Sequence, residues 1–299
     1  MLWRTFRTGA GALAGLVLWG LCFSTAIAAE APSKPKKEFT EVCPQVVAER
    51  ALITSRGVGY APDAADPANH PLAPAIKWAR EGAAAIEKLD DYSTTLVKRE
   101  RINGKLNDYE QFFVKVRHRP FSVYLYYLVP EAMKGQEAIY VAGKNGGNLW
   151  AHTVGYRGKL IGTISLPPTG QIAMNNQRYP LTEMGVLNLT RRLIEVGEVD
   201  MQYGECEVKT VKNAKINGRS CTCIQVVHPT PRKNFIFHLA RIFVDDELNI
   251  PVRYEAHDWP EEEGGKPQLI EEYTFLNIKV NNGFTDLDFD IKNPNYDYN

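Results

Sequence analysis

The chain of 299 residues has no surplus of either charge: 35 lysines and arginines balance 35 aspartates and glutamates. That neutrality excludes the strong field by which proteins are drawn onto nucleic acid or an anionic membrane. Catalytic signatures are also missing. There is no G-x-S-x-G elbow, no P-loop, no G-x-G-x-x-G after a strand and no H-E-x-x-H, and no nucleophile–base–orienter set can be read. The six histidines (His70, His118, His152, His228, His238 and His257) fall one per element. Only His228 and His238 can approach across adjacent strands, and neither has an acid or thiol at ligand spacing. No metal, cofactor or catalytic residue is therefore expected. Repeats, heptads and a βαβ rhythm are absent, which excludes solenoids, coiled coils and a parallel sheet.

Cysteine is scarce, with five in all, and its distribution follows the compartment. Residues 1–28 read as a secretory signal. Arg4 and Arg7 precede an apolar run from Ala10 to Phe23, and Ser24-Thr25-Ala26-Ile27-Ala28 ends in an A-x-A pattern. Cleavage after Ala28 leaves no transmembrane span and a net charge of about −2, because it removes two arginines and no acid. Cys22 goes with the signal; Cys43, Cys206, Cys221 and Cys223 remain. In an exported chain these permit either a bridge from Cys206 to one of the Cys221/Cys223 pair or three buried free thiols.

Residues 29–70 read as a Pro- and Ala-rich linker interrupted by one short helix near 44–55, and residues 71–299 as a single domain. Ile76, Ala79, Ala83 and Ile86 make one apolar stripe on a helix over about 71–89. A second helix is predicted over about 182–196, with Thr182 as its cap and Gly197 as its stop.

Between and after the helices the pattern is β. Asp91–Ile102 and Leu106–Arg117 flank Asn103-Gly104, a type I′ hairpin signal. Further strands are predicted at Phe121–Val129, Glu137–Ala142, Leu149–Val154, Cys206–Lys212, Arg219–Val227, Phe235–Val244, Val252–Asp258 and Leu269–Val280. Long strands joined by turns, with helices set aside, predict an α+β fold built on an antiparallel meander.

Two strands are apolar on both faces. Phe121, Val123 and Leu125 share one face of the first, Tyr124 and Tyr126 the other. Phe235, Phe237, Leu239 and Phe243 are predicted to share one face of the second. The middle of the sheet is thus buried on both sides. Two helices leave one face to be covered by something the chain does not fully supply, by barrel closure, or by helices of wider reach. Phe121 is expected to pack the core and Tyr124 to lie on a wet convex side. On that basis Phe121→Ala costs about 3–5 kcal/mol and Tyr124→Ala much less.

Polar candidates are few. Lys98-Arg99-Glu100-Arg101 and Arg117-His118-Arg119 read either as cross-strand ion pairs on a wet face or as an anion clamp at a groove rim. Glu271-Glu272 reads as a solvated edge. Residues 174–180, rich in amides and ending Arg178-Tyr179-Pro180, are either a packed connector or a lid.

Val97-Lys98-Arg99-Glu100-Arg101-Ile102-Asn103-Gly104-Lys105, Val116–Leu125, Arg178–Glu183 and Phe243–Tyr254 resemble a secreted domain-of-unknown-function family, numbered fifteen seventy-one, of planctomycete-type bacteria. The likeness spans about residues 75–295. The strand order and the stretch from Tyr273 to Phe289 are also similar to the periplasmic lipoprotein-carrier superfamily. That resemblance implies an antiparallel, incompletely closed half-barrel with helices packed over its concave face. It further implies an exported, non-catalytic binding protein that holds a lipid, acyl chain or other amphiphile. The expected ligand wall is Phe121, Val123, Leu125, Phe235, Phe237 and Leu239, with Arg178 and Tyr179 beside it. The alternative is an envelope structural or sensor protein with a self-filled groove, acting through an envelope protein partner.

Overall fold

The structure is a computed structural model that describes residues 69–298. The signal and nearly all of the linker assigned from sequence, with Cys43, lie outside the described residues. Twelve strands form one antiparallel sheet: β1 (Asp91–Ile102), β2 (Lys105–Leu106), β3 (Glu110–His118), β4 (Phe121–Val129), β5 (Glu137–Val141), β6 (Leu149–His152), β7 (Thr163–Leu166), β8 (Glu207–Ile216), β9 (Arg219–Val227), β10 (Leu239–Asp245), β11 (Pro251–Asp258) and β12 (Gln268–Val280). Their order is β7-β6-β5-β4-β3-β1-β12-β11-β10-β9-β8, with β2 added to β1. The first and last strands of that order do not pair, so the sheet is an open half-barrel of the α+β class.

Among the described residues three α-helices accompany it: α1 (Ala73–Ile86), α2 (Gly155–Ile161) and α3 (Val186–Asp200). Asn103 and Gly104 have φ of 50° and 79°, and Asn217 and Gly218 of 49° and 79°, so both two-residue hairpins turn as their sequences require. The strand before β11 begins at Leu239, not Phe235, because Phe235 turns onto the His228 ring, 3.9 Å away and nearly parallel.

α1 and α3 lie together on one face. Gly197 does not stop α3 but lets α1 approach: a Cβ there would stand 2.4 Å from Ile76 Cδ1. The helix begins at Val186, four residues after Thr182, because Gly185 takes a φ of 112° and breaks the chain direction. A Cβ at Gly185 would meet the Tyr92 hydroxyl at 2.6 Å, and that hydroxyl accepts the Val186 N–H at 2.9 Å. Buried Tyr92 thus fixes where the helix starts over the sheet.

Under α3 the helix-facing core joins Leu96, Phe112, Val114, Val116, Val123, Leu125 and Phe275 to Leu187 and Leu189. Towards α1 a second cluster joins Ile76 and Leu72 to Ile224, Val226, Phe237, Ala240 and Tyr254.

The opposite face of β3–β6 is covered by the chain's own C-terminal segment, which neither barrel closure nor the helices supply. Phe284, Phe289, Ile291, Tyr296 and Tyr298 pack on Phe113, Tyr124, Tyr126, Ile139, Val141 and Trp150. Tyr124 does face away from the helices, but it is buried and not wet, its ring stacked 4.0 Å from that of Tyr296. The segment is tied down by Lys115 to Asp288 at 2.7 Å and Arg117 to Asp286 at 2.7 Å. At its start Asp91 accepts the N–H groups of Asn282, Gly283 and Phe284 at 2.6–3.0 Å.

Cys206 sits in the helix-side cluster, whereas Cys221 and Cys223 sit in a cluster on the opposite face. The sheet separates them, and no disulfide joins Cys206 to either.

Candidate functional site

Two clefts flank the start of α3, between it and the sheet. The larger, about 550 Å³, runs over Tyr92, Val116, Phe121, Met184 and Leu187, with Arg119 and Arg191 at its margin. The other, about 410 Å³, lies over Leu96, Tyr254, Tyr273 and Phe275, walled by Met184, Leu189 and Leu193. Thr182, Met184, Gly185, Asn188 and Arg191 border both. A third space of about 80 Å³, almost wholly apolar, separates α1 and α3 from β9 and β10.

The 410 Å³ cleft has a polar end built from cross-strand neighbours. Glu100 on β1 lies directly opposite Glu271 on β12, and Lys98 opposite Tyr273. Like charges placed so are unfavourable unless bridged. The Tyr273 hydroxyl does this, donating to Glu100 Oε1 at 2.6 Å and standing 3.3 Å from Glu271 Oε2. Lys98, itself buried, donates to Glu100 at 3.1 Å and pairs with Glu110 at 3.2 Å.

Onto this pair comes the segment before α3. Arg178 Nε donates to Glu271 Oε2 at 2.7 Å, its backbone N–H to Glu100 Oε2 at 3.2 Å, and the Tyr179 hydroxyl to Glu271 Oε1 at 3.2 Å. Gln177 accepts from Lys98. Residues 177–179 are therefore pinned across the sheet by buried charge. Burial pushes the Glu271 carboxyl above its ordinary range; Arg178 and Tyr179 pull it back and Glu100 adds to the push. Burial likewise raises the phenols of Tyr179, Tyr254 and Tyr273, so all three stay protonated as donors.

The residues expected to form one ligand wall divide among several places. Val123 and Leu125 are core under α3, and Phe121, half-buried, borders the 550 Å³ cleft. Tyr179 borders the 410 Å³ cleft, with Arg178 beside it on Glu271. Phe237 reaches the small apolar space. Leu239 does not share their face: it lies beside Val227 and His257, out of phase with Ala240, which does face the helices. Phe235 packs instead on His228 and Tyr203.

Other expectations change with burial. Glu271 and Glu272 are not solvated; both are buried, one on each face of β12, with Glu272 paired to Arg253 at 2.6 Å. The two basic clusters cannot form one clamp. Lys98 pairs with Glu110 and Asp91 with Arg117, so they stand at opposite ends of the β1–β3 pair, about 23 Å apart at ~3.3 Å per residue. His228 finds a partner that sequence spacing did not offer, Asp200 at the end of α3, 3.0 Å away and fully buried. His228 has no exposed surface, and the pair ties the end of α3 to the end of β9.

An open antiparallel sheet with helices laid on its concave face, and clefts between the two, defines a half-barrel of the lipoprotein-carrier-like fold. Solved structures similar in fold include a DUF1329 family protein from Desulfovibrio piger ATCC 29098 (10% identity, TM-score 0.37, covering 74% of this chain and 98% of that one). Another is the Mycobacterium tuberculosis lipoprotein LppX (13% identity, TM-score 0.41, 71% and 98%). A third is a putative outer membrane lipoprotein-sorting protein domain from Vibrio parahaemolyticus (12% identity, TM-score 0.35, 72% and 95%). The chain itself belongs to the family described as "Protein of unknown function (DUF1571)", whose model matches residues 89–298. Comparison with curated proteins finds no match. Among the described residues no helix is long and apolar enough to cross a membrane.

Proposed function

We propose that this protein is an exported, non-catalytic binding protein that holds a lipid, an acyl chain or another amphiphile between α3 and the concave face of the sheet. The observation that carries this reading is the pair of clefts beside α3, about 410 and 550 Å³, on a sheet that does not close. Their size is that of small-molecule sites, and their walls join apolar side chains to a few convergent polar groups. Val123 and Leu125 act as the foundation of the wall, and Phe121, Leu96 and Phe275 as its surface. Arg178 and Tyr179 close the polar end. Burying ten methylenes is worth up to ~8 kcal/mol before association costs of several kcal/mol, so micromolar binding needs no charged contact.

Native mass spectrometry of protein purified from its own envelope tests the reading, together with uptake of a fluorescent fatty acid. A bound amphiphile that Leu96→Glu abolishes is the expected result; only apo mass and no uptake overturns it. A second reading is favoured by the pinned segment at residues 177–179, which fills the polar end of the cleft from within. In that reading the groove is self-filled and the protein acts on an envelope partner; cross-linked co-purification without bound lipid is its mark.

A further inference from the structure

The C-terminal cover contains a polar enclosure that the binding reading does not use. Glu137 on β5 is 3% exposed and lies directly opposite Tyr126 on β4 and His152 on β6. Residues 296–298 close over it. The Asp297 N–H donates to Glu137 Oε1 at 3.2 Å, and the Tyr298 ring stands 6.1 Å from that of His152. Three buried polar atoms here have no hydrogen-bond partner among the described residues: Glu137 Oε2, His152 Nδ1 and the Tyr298 hydroxyl. Native interiors satisfy nearly all such atoms, and an exception asks for an explanation.

The groups that face Glu137 are Tyr124 and Tyr126 from β4, His152 from β6, and Tyr296, Asp297 and Tyr298 from the cover. No lysine or arginine is among them. Lys115, on β3, is committed to Asp288 and to the Tyr296 hydroxyl at 3.0 Å. A charge on Glu137 therefore has one backbone N–H to meet it and the Asp297 carboxylate against it.

We infer that residues 296–298 are a proton-controlled latch, closed over Glu137 while its carboxyl is neutral and loosened when it ionises. The anchors nearer the sheet, Asp286 on Arg117 and Asp288 on Lys115, keep residues 284–290 in place while the tip opens. Opening the tip takes the Tyr296 ring off Tyr124 and admits water to the aromatic face.

The direction follows from linkage. Burial pushes the Glu137 carboxyl up to about 7 from an ordinary 4.5; the Asp297 N–H pulls it back and the Asp297 charge adds to the rise. A group raised on closing takes up a proton on closing. Its contribution is complete below about 4.5 and is lost as the pH rises through about 7. The closing constant then falls by up to roughly 300-fold across that window, less where water screens the carboxylate.

Hydrogen exchange in the full chain tests this. The readout is the opening constant at the Tyr296 and Asp297 amides, corrected for intrinsic exchange, at pH 5 and pH 8, with the Val123 and Leu125 amides reporting global unfolding. The wild type should open at least tenfold more at pH 8, with the β4 amides unchanged, and Glu137→Gln should be flat. Equal opening at both pH values, or the same slope in Glu137→Gln, overturns the inference. Should Glu137→Gln fail to fold, the carboxyl carbon of Glu137 in the wild type decides: a midpoint near 7 supports the latch and one near 4.5 refutes it.

Discussion

Tyr124→Ala should be among the most destabilising truncations on the face opposite the helices. The ring is 4% exposed and sits between the sheet and Tyr296. An aromatic side chain buries ~150–250 Å², which at ~25 cal/mol/Å² is about 4–6 kcal/mol. Residual compaction of the unfolded chain lowers that to about 3–5 kcal/mol, the usual range for emptying a buried aromatic site. The parallel stack with Tyr296 should appear as a coupling of about 1 kcal/mol in a double-mutant cycle with Tyr296→Ala. Phe121, half-buried at a cleft margin with its ring 6.2 Å from that of Tyr140, should cost less, about 1.5–3 kcal/mol. This order is the reverse of the one the sequence suggests. Urea unfolding followed by circular dichroism measures all four variants. A Tyr124→Ala loss below 1 kcal/mol, or a cycle with no coupling, would refute the buried face.

Other predictions concern buried charge and thiols. Arg178→Ala strands Glu271, whose carboxyl burial already raises, and should cost about 2–3 kcal/mol at pH 8. Because a carboxyl raised in the folded state takes up its proton as the pH falls through that raised value, the cost of the stranded charge should shrink towards pH 5, and Arg178→Ala with Glu271→Gln should recover most of it. Melting curves of both variants across pH 5–8 check the sign. Burial pushes the Cys206 thiol up to about 12 and the Cys221 thiol up to about 11. Both should resist Ellman's reagent at pH 8 until urea unfolds the chain, and peptide mapping of the labelled sites reads this directly.

The elements with strong local signals were legible in the sequence. β1, β4 and β9 run over their expected residues, and both Asn-Gly hairpins turn where the pattern places them. Period-two alternation also assigned Val123 and Leu125 correctly to the helix-facing side. What failed depended on distant contacts. The cover over Tyr124 comes from a stretch more than 150 residues away that has no periodicity of its own. Glu100 and Glu271 meet through the β1–β12 register, which no local spacing encodes. Phe235 looked like a strand residue because its neighbours alternate, but the His228 ring draws it out of the sheet. The amide-rich loop at 174–180 read equally as a packed connector or a lid; which side chains it pins required the sheet order.

Among the described residues the sheet ends at β7 and β8, each paired with a described strand on one side only, and an edge strand is the place where a sheet can recruit a strand from a neighbouring molecule. β7 offers only four residues, Thr163–Leu166, a short template. β8 is ten residues long and would be a serious hazard, but Lys209, Lys212 and Lys215 are exposed along it and its register slips between Val211 and Ala214, where Asn213 takes a φ of 62°. Positive charge and a bulge on a boundary strand are the means by which sheets refuse edge-to-edge polymerisation. Three exposed lysines and a bulge on one boundary strand thus guard the half-barrel against extending itself into a fibre.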